Sequence, residues 1–326
     1  MPWHYGDPLR EQRALVEGHA SVDLSNRGVV TVSGVDRLTW LNDLTTQHLL
    51  ALAPKASALA LILSPHGHVE HELHLVDDGA TTWIITQPGD APALVEYLRS
   101  MQFMLRVEVA DVTDAYAVVW ENELASDEAL PTWVMPPDYA GTGHVDAGSD
   151  RGGDATKYVP TRPATLRGRE VIVPRDQLAD RLGAGPLAGT WALEALRTAA
   201  AVPRFGLETD HRTLPHEVGW IGPAVHLAKG CYRGQEAIAR VHNLGHPPRR
   251  LVLLHVDGSD NRLPVHGDAV MLDGKAVGFI GTAAQHYELG PIATAIVKRN
   301  VPVDAPVVVA TAEGDVAAAQ ELVVSP

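Results

Sequence analysis

The sequence of 326 residues predicts an α+β fold that ends in a small β-barrel or sandwich. Strand-like and helix-like segments mix without strict alternation over residues 1–111, which is typical of a largely antiparallel sheet flanked by helices. After Arg250 the segments are strand-like only. A chain of this length exceeds one ordinary core, so we expect two or three packed domains.

Residues 1–111 contain the patterns of several strands and helices. The run GVVTVSG at 28–34 is rich in β-branched residues and closed by glycine, which predicts a short strand. Leu38, Leu41 and Leu44 follow at helical spacing and predict a helix. The same criteria predict further strands at 58–64, 69–76, 81–86 and 107–112, and a helix at 91–104.

The composition changes between residues 111 and 154. Ten Asp or Glu residues stand there against Arg151 alone, and the runs PPDYAGTG and DAGSDRGGD are typical of loops. Acidic runs of this kind are mostly solvated surface. We therefore expect a connection with a solvated insertion in this part of the chain.

Two helices and then only strands are predicted in the later part of the chain. The run TWALEALRTAA at 190–200 begins with the helix-capping residue Thr190 and stops before Pro203. The run QEAIARVHNL ends at Gly245, and a hairpin turn is predicted at Asp273–Gly274. We expect three parts: an α+β lobe over 1–111, a second α+β lobe with the acidic insertion over 112–245, and a β-barrel over 246–326.

Composition excludes several classes of protein. The net charge of −14 argues against a surface for duplex nucleic acid, because phosphate contacts need clustered Lys and Arg. One cysteine permits neither an intrachain disulfide nor a cysteine-based zinc or iron–sulfur site within the chain. No apolar signal segment and no run of ~20 apolar residues is visible, so we expect a cytoplasmic protein without membrane contact.

Histidines and glutamates crowd the run HGHVEHELH at 66–74. On a strand, one face would carry His68, Glu70, Glu72 and His74. Alternate residues of a strand lie ~6.6 Å apart, so these four side chains span too far to coordinate one metal ion together. We expect no metal site and interpret this face as the wet face of an edge strand. His71 falls on the opposite face and is either a satisfied core histidine or part of a pocket.

The only cysteine, Cys231, lies in the octapeptide KGCYRGQE. Lys229 and Arg233 flank it, and a predicted helix starts at Gln235 with its positive amino end towards the loop. These influences favour thiolate over thiol, which is typical of a reactive, solvent-reachable cysteine. The alternative is a buried cysteine that packs as a small hydrophobe.

The segment around this cysteine is basic in an otherwise acidic chain. Between Val225 and Arg250 one acid, Glu236, stands against five cations: Lys229, Arg233, Arg240, Arg249 and Arg250. We call residues 225–250 the basic segment. Its local balance of +4 suits a small anionic ligand better than a nucleic acid duplex, although scattered, solvated helix charges are the alternative.

The octapeptide KGCYRGQE resembles the K-G-C-[FY]-x-G-Q-E signature of the YgfZ-type folate-binding proteins. These proteins act in iron–sulfur cluster assembly and repair and are a branch of the glycine-cleavage T-protein (aminomethyltransferase) superfamily. The stretches VPRFGLETDHRTLPHEVGW, HYELGPIATAIVKRNVP and VTVSGVDRLTWLNDLTTQ also resemble family blocks. The resemblance covers nearly the whole chain.

The resemblance implies a three-lobed, ring-like fold with a site for tetrahydrofolate or a derivative in a central channel. By analogy the pteridine would lie among residues of the first two lobes, and the loop of Cys231 would line the channel. The implied folate-binding candidates are Lys229, Tyr232, Arg233, Gln235, Glu236, Arg240, Arg197 and His71.

Two departures from the transferase branch bear on activity. The transferases carry a catalytic Asp in a G-G-x-x-D-D-type segment, and the matching segment here ends with His71 and Glu72, so Glu72 is the implied acid/base candidate. The transferases also have an R-x-E-x-G run whose Glu holds the pterin, but here Ala199 follows Arg197 at that spacing. Both changes argue against aminomethyl transfer.

Three functions remain in competition at this point. The first is a folate-binding accessory protein, with iron–sulfur proteins or their assembly machinery as partners and Cys231 as one ligand or a transient adduct. The second is a folate-dependent one-carbon transferase that uses Glu72. The third, a hydrolase with Cys231 as nucleophile, lacks an oxyanion-hole or orienting-acid signature.

Overall fold

Two five-stranded sheets and a closed six-stranded barrel make up the fold. The computed structural model describes residues 1–123, 127, 129–140, 160–259 and 262–325. No helix in these ranges is long and apolar enough to cross a bilayer.

The first sheet is antiparallel throughout and comes from residues 28–111. Its elements match the sequence prediction of strands and helices mixed without strict alternation. They are β2 (Gly28–Ser33), α2 (Arg37–Leu44), β3 (Ser57–Leu63), β4 (Val69–Asp77), β5 (Thr81–Thr86), α3 (Ala91–Met101) and β6 (Glu108–Asp111). The strand order is β3-β4-β5-β2-β6.

Both faces of this sheet are covered. Ile62, Leu73 and Ile84 pack on one face against apolar residues of α2 and α3. Leu61 and Ile85 belong to a second, central core that also contains residues of the second sheet and of the barrel. A sheet that is buried on both faces can hold polar side chains away from water, and it does so at the site described below.

The second sheet has the order β10-β1-β7-β9-β8 and draws on distant parts of the chain. Its strands are β1 (Ser21–Asp23), β7 (Tyr116–Glu121), β8 (Thr132–Val134), β9 (Arg169–Pro174) and β10 (Leu187–Ala188). Only the short β1–β10 pair is parallel. Helices α1 (Pro8–Val16), α4 (Leu178–Leu182) and α5 (Thr190–Ala199) accompany it.

The acidic stretch is therefore only partly the connection that its composition predicts. β7 lies at the centre of the second sheet, and its residues Ala117–Trp120 are buried, so the prediction of a solvated connection is wrong for this strand. The reason is that the acids flank an apolar run, AVVW, which packs in the core. Residues 141–154 of the expected insertion lie outside the described residues.

The start of α5 also differs from the prediction. Thr190 is the first helical residue, and Gly189 occupies the cap position without a side-chain hydrogen bond. The carbonyl oxygens of Pro2 and Trp3 accept from the amides of Thr190 and Trp191 at 3.3 and 3.0 Å. The amino-terminal segment thus satisfies donors that a capping side chain would otherwise satisfy.

The carboxy-terminal part is the barrel that the sequence predicts. Helix α6 (Gln235–Leu244) ends at Gly245, whose φ of 108° is the left-handed conformation expected of a C-cap glycine. The barrel strands are β11 (Arg249–Val256), β12 (Ala269–Leu272), β13 (Lys275–His286), β14 (Gly290–Lys298), β15 (Val307–Thr311) and β16 (Gly314–Leu322). Their closed order is β11-β14-β13-β12-β15-β16, and Asp273–Gly274 form the turn between β12 and β13.

Alternate residues of β11 serve two cores. Val252 and Leu254 fill the barrel interior, whereas Leu251 and Leu253 join the central core shared with both sheets. Because successive side chains of a strand point to opposite faces, β11 packs both inside the barrel and against the two sheets. The limits of the three expected parts, at residues 111 and 245, stay a prediction.

Candidate functional site

A small polar cavity lies where the first sheet, the second sheet and α5 meet. Its volume is about 50 Å³, and Trp120, Trp133 and Leu193 supply apolar wall. Three glutamates, three arginines and a histidine also line it: Glu72, Glu170, Glu194, Arg27, Arg197, Arg204 and His74. So many ionisable groups in one enclosed space mark a candidate functional site.

Glu72 of β4 is buried, with 4% of its surface exposed. Its Oε2 accepts from Gln87 Nε2 and from the backbone amide of Phe205, both at 2.9 Å. Burial alone would raise the pKa of Glu72, but the hydrogen bond and charge of His74, together with the Phe205 amide, hold it below its usual value. Glu72 is therefore a carboxylate at neutral pH.

His74 lies two residues further along the same strand, between two carboxylates. Its Nδ1 is 2.7 Å from Glu170 Oε2 and its Nε2 is 3.5 Å from Glu72 Oε1. The ring stacks on Trp133 with centroids 3.8 Å apart and planes at 12°. Burial alone would lower the pKa of His74, but the charge and hydrogen bonds of Glu170 and Glu72 raise it to about 9.

The expected wet face of an edge strand is therefore wrong for Glu72 and His74. β4 pairs with β3 on one side and β5 on the other, so it is not an edge strand. Both side chains point into the cavity instead of solvent. Within the described residues no group of three or more His, Cys, Asp or Glu is arranged to hold a metal ion.

Helix α5 contributes a second group of charges. Arg197 donates to Glu194 at 2.9 Å and to Glu208 at 3.1 Å, and Arg204 also pairs with Glu194. Burial would raise the pKa of Glu194, but the charges of Arg197 and Arg204 lower it to about 2. Helix α5 thus contributes the carboxylate of Glu194 to the cavity, although Ala199 stands where the transferases have a Glu.

Two polar atoms beside Glu72 have no hydrogen-bond partner among the described residues. They are the donor Nη1 of Arg27 and the acceptor Oε1 of Gln87. Both side chains line the cavity and are more than nine-tenths buried, with exposures of 7% and 6%. Buried polar atoms are normally paired, because each one left unpaired costs about 1–3 kcal/mol, so these two atoms provide unused hydrogen-bonding capacity for a bound molecule.

The loop of Cys231 lies on the turn between β3 and β4. Gly234 has a φ of 83°, and a Cβ there would come within 2.6 Å of the Ser64 carbonyl oxygen. Cys231 itself is exposed, so the alternative of a buried packing cysteine is wrong. The loop thus presents its thiol to solvent from a closely packed base.

The cations of the basic segment have partners elsewhere in the fold. Lys229 Nζ donates to the carbonyl oxygens of Asn42, Thr45 and Gln47 around the C-terminal end of α2, and burial lowers the pKa of Lys229 to about 8. Three arginines form ion pairs: Arg233 with Glu70, Arg240 with Glu236, and Arg249 with Asp210 and Glu217. Arg250 donates to the carbonyl oxygens of residues 298, 299 and 301. The five cations are therefore not free for an anionic ligand. Acids distant in sequence balance Arg233 and Arg249. Glu236 pairs with Arg240, and carbonyl oxygens accept from Lys229 and Arg250.

Comparison with known proteins identifies the fold. Residues 1–120 match the family described as the GCVT N-terminal domain. The aminomethyltransferase of Streptomyces coelicolor is 25% identical over 326 residues, which cover 91% of this chain and 83% of that protein. The crystal structure of glycine cleavage system aminomethyltransferase T from Bartonella henselae superposes with a TM-score of 0.72 at 18% identity, covering 100% of this chain and 90% of that one. This chain has the T-protein fold.

A relative with a different description points the same way. The iron–sulfur cluster assembly factor IBA57 homolog, mitochondrial, of Aspergillus fumigatus is 22% identical over 282 residues. These residues cover 78% of this chain and 60% of that protein. Together the matches relate this chain, through a shared T-protein fold, to proteins described as aminomethyltransferases and as an iron–sulfur cluster assembly factor.

Within this T-protein fold the predicted site residues divide into two groups. Glu72 and Arg197 line the cavity. The candidates of the octapeptide and α6 do not line it: Cys231, Lys229, Tyr232, Arg233, Gln235, Glu236 and Arg240. The sequence thus predicted one site where the structure has a buried cavity and a separate exposed loop.

A series of ring contacts joins the loop to the cavity. Arg233 lies 5.6 Å from the centre of the Tyr97 ring, and Tyr97 lies 6.2 Å from the ring of His71. His71 is hydrogen-bonded to Asp90 at 2.9 Å and lies 6.4 Å from the ring of Phe205, whose amide binds Glu72. His71 is therefore a satisfied, buried histidine between the two groups.

The residues that sequence reasoning missed carry little local signal. Arg27 and Gln87 lie in short connections, and Arg204 follows Pro203 in a loop. Glu170 is a partial exception. With Arg169 it is one of two charged residues in the strand REVIVP, whose other residues are apolar, and charges in such a strand indicate buried partners.

Proposed function

We propose that this protein is a folate-binding accessory protein, of the YgfZ type, that supports assembly or repair of iron–sulfur clusters in other proteins. The observation that carries the folate part is the pair of unpartnered atoms, Arg27 Nη1 and Gln87 Oε1, beside the carboxylate of Glu72. The accessory role is supported by the relative named as an iron–sulfur cluster assembly factor and by the exposed Cys231.

The donor set around the cavity matches the polar edge of a pterin. That edge presents a ring N–H and an amino group, which a carboxylate such as Glu72 accepts, next to a carbonyl oxygen for which Arg27 Nη1 is a donor. Gln87 Oε1 is available for a further N–H of the ring. When bound, tetrahydrofolate would supply its one-carbon chemistry at its N5 and N10 nitrogens.

The cavity has to enlarge before a pterin enters. An engineered protein cavity that binds benzene measures ~150 Å³, whereas this one measures about 50 Å³. Arg204 is the most exposed of the three lining arginines, with 25% of its side chain accessible. Movement of Arg204 away from Glu194 opens the cavity without disturbing Arg27, Gln87 or Glu72.

Aminomethyl transfer is the second candidate, because the transferase relatives share the fold and Glu72 lies in the cavity. The low pKa of Glu72, held down by His74, makes it a poor proton donor at neutral pH. The transferases have a Glu that holds the pterin, and this chain has Ala199 at the matching position. We therefore expect transfer to be absent or vestigial.

The experiment is calorimetric titration of the protein with tetrahydrofolate, combined with activity of iron–sulfur enzymes in cells. Arg27→Lys keeps a cation but cannot place the Nη1 donor, and we expect a loss of affinity of about 10- to 100-fold. Arg106→Met, which removes an exposed ion pair with Asp36 outside the cavity, is the control and leaves the affinity unchanged.

Three results would contradict the proposal. They are the absence of saturable binding at millimolar tetrahydrofolate, wild-type affinity in a folded Arg27→Lys protein, and robust turnover with a glycine-derived aminomethyl donor. Thermal melting of each variant separates loss of binding from loss of folding. For the accessory role, normal iron–sulfur enzyme activity in cells that carry only Cys231→Ala is the contrary outcome.

A further inference from the structure

We propose that His74 is a positioning residue that, held by Glu170 and stacked on Trp133, keeps Glu72 a charged, acceptor-only group facing the cavity. The inference rests on the proposed function only in naming folate as the ligand whose selection it controls. The role itself belongs to the protein without ligand.

The position of His74 is determined by residues from both sheets. Glu170 belongs to β9 and Trp133 to β8, and the two are opposite each other in the register of the second sheet. The ring of His74, on β4 of the first sheet, stacks on Trp133 and approaches Glu170 at 2.7 Å. The imidazole is therefore held in place by contacts across the interface between the sheets.

This placement determines what Glu72 meets. With Nδ1 directed at Glu170, the only other ring nitrogen, Nε2, lies 3.5 Å from Glu72. A ring with a carboxylate at each nitrogen is favoured as the imidazolium, because both nitrogens then donate. Glu72 in turn keeps its negative charge, although it is buried.

The other charges facing the cavity fit this assignment. Arg27 lies 3.7 Å from Glu170, and Arg197 and Arg204 pair with Glu194. Glu208, buried behind Arg197, completes the set. With His74 protonated, four cations balance four carboxylates, and a neutral His74 would leave an uncompensated buried negative charge.

A fixed carboxylate at Glu72 selects the ligand edge that the cavity accepts. An ionised carboxylate accepts but does not donate, so it pairs with an edge that carries two N–H groups and disfavours an edge that presents a carbonyl oxygen in that place. Without His74, burial raises the pKa of Glu72 towards neutrality. The group would then become a donor at lower pH and lose this selectivity.

The test uses two variants with a matched control. His74→Phe retains an aromatic ring to stack on Trp133 but removes both donors, and Glu170→Gln removes the charge that holds the ring in place. His66→Gln, at an exposed histidine of the β3–β4 turn, is the control. Titration of the Glu72 carboxyl by ¹³C NMR in the ligand-free protein is the primary measurement, and tetrahydrofolate affinity at pH 6 and pH 8 is the second.

We expect Glu72 to stay ionised down to pH 5 in the wild type and in His66→Gln, and to titrate near neutral pH in His74→Phe. Tetrahydrofolate affinity should change by less than about 2-fold between pH 8 and pH 6 in the wild type and fall by about 10-fold in the variant. Glu170→Gln should shift the Glu72 titration in the same direction.

Unchanged Glu72 titration in folded His74→Phe or Glu170→Gln would overturn the inference. Because the carboxyl titration needs no ligand, it decides the role of His74 even if the wild type does not bind tetrahydrofolate. In that case the proposed function fails and the positioning role is judged separately. If His74→Phe does not fold, Glu170→Gln provides the decisive titration.

Discussion

The backbone amide of Phe205 donates to the Glu72 carboxylate at 2.9 Å, although 133 residues separate them in the chain. This bond ties the loop after α5 to the centre of the first sheet. The neighbouring Arg204 holds the same loop through its side chain on Glu194 and its backbone amide on Glu208. One wall of the cavity therefore has a buried anchor, at the Phe205 amide, and a partly exposed side chain, Arg204, that is held by its ion pair with Glu194.

Removal of the Arg204 side chain should make tetrahydrofolate bind more tightly. Arg204→Met breaks the pair with Glu194 in advance, so the ligand no longer has to displace it, and we expect a gain of about 3- to 10-fold. Calorimetry measures the change, with Arg106→Met as the control. Weaker binding in Arg204→Met would mean that Arg204 contacts the ligand.

Replacement of Cys231 should separate function from stability. The residue is exposed, so Cys231→Ala leaves no core cavity and should change the free energy of unfolding by less than about 0.5 kcal/mol. We expect iron–sulfur enzyme activity in cells to fall nonetheless, as it should for Cys231→Ser. A variant that melts several degrees lower while function persists would show a structural cysteine.

Lys229 should contribute strongly to stability. Its buried ammonium satisfies three carbonyl oxygens around the end of α2, and Lys229→Met leaves them without this donor. We expect a loss of roughly 2–3 kcal/mol in denaturant unfolding. Arg240→Met, which removes an exposed pair, should cost less than about 0.5 kcal/mol. Equal effects of the two substitutions would refute the anchoring role of Lys229.

Two glycines with similar backbone angles provide a matched test of loop packing. Gly234 and Gly89 have φ of 83° and 81°, but a Cβ would meet the Ser64 oxygen at 2.6 Å in the first case and nothing within 4 Å in the second. Gly89→Ala should cost about 1–2 kcal/mol from the left-handed backbone alone. Gly234→Ala should lower the free energy of unfolding clearly more than Gly89→Ala in denaturant unfolding. Similar losses in the two variants would show that the loop rearranges to accommodate the Cβ.

Stability should fall as pH rises above neutrality. The folded-state pKa of His74, about 9, lies above its ordinary value of 6.5. Its contribution to the free energy of unfolding is therefore complete below about pH 6.5 and is lost as pH rises through 9. The full effect is on the order of 3 kcal/mol. Denaturant unfolding at several pH values measures it, and His74→Phe should lack this slope between pH 6.5 and 9. A wild-type slope in that variant would assign it to another group.

The sequence by itself determined the elements of residues 28–111 and of the carboxy-terminal barrel, and it indicated the T-protein fold. β-Branched runs such as GVVTVSG, the leucine spacing before Leu44, the glycine after α6 and the Asp273–Gly274 turn all depend on neighbours in the chain. Such local preferences can be recognised without a structure, because burial of one face repeats apolar residues about every 3.6 residues in a helix and every second residue in a strand. The octapeptide around Cys231 indicated the superfamily for the same reason, since its residues are contiguous.

Only the tertiary structure decided where the charges lie and what they do. Glu72 and His74 have the sequence pattern of a wet strand face, but sheet order places β4 between two strands and buries both beside Glu170. Likewise the basic segment counts as +4 in sequence, yet Arg249 finds Asp210 and Glu217 across the fold. Coulomb and desolvation energies depend on distance in space and on burial, and neither follows from separation along the chain.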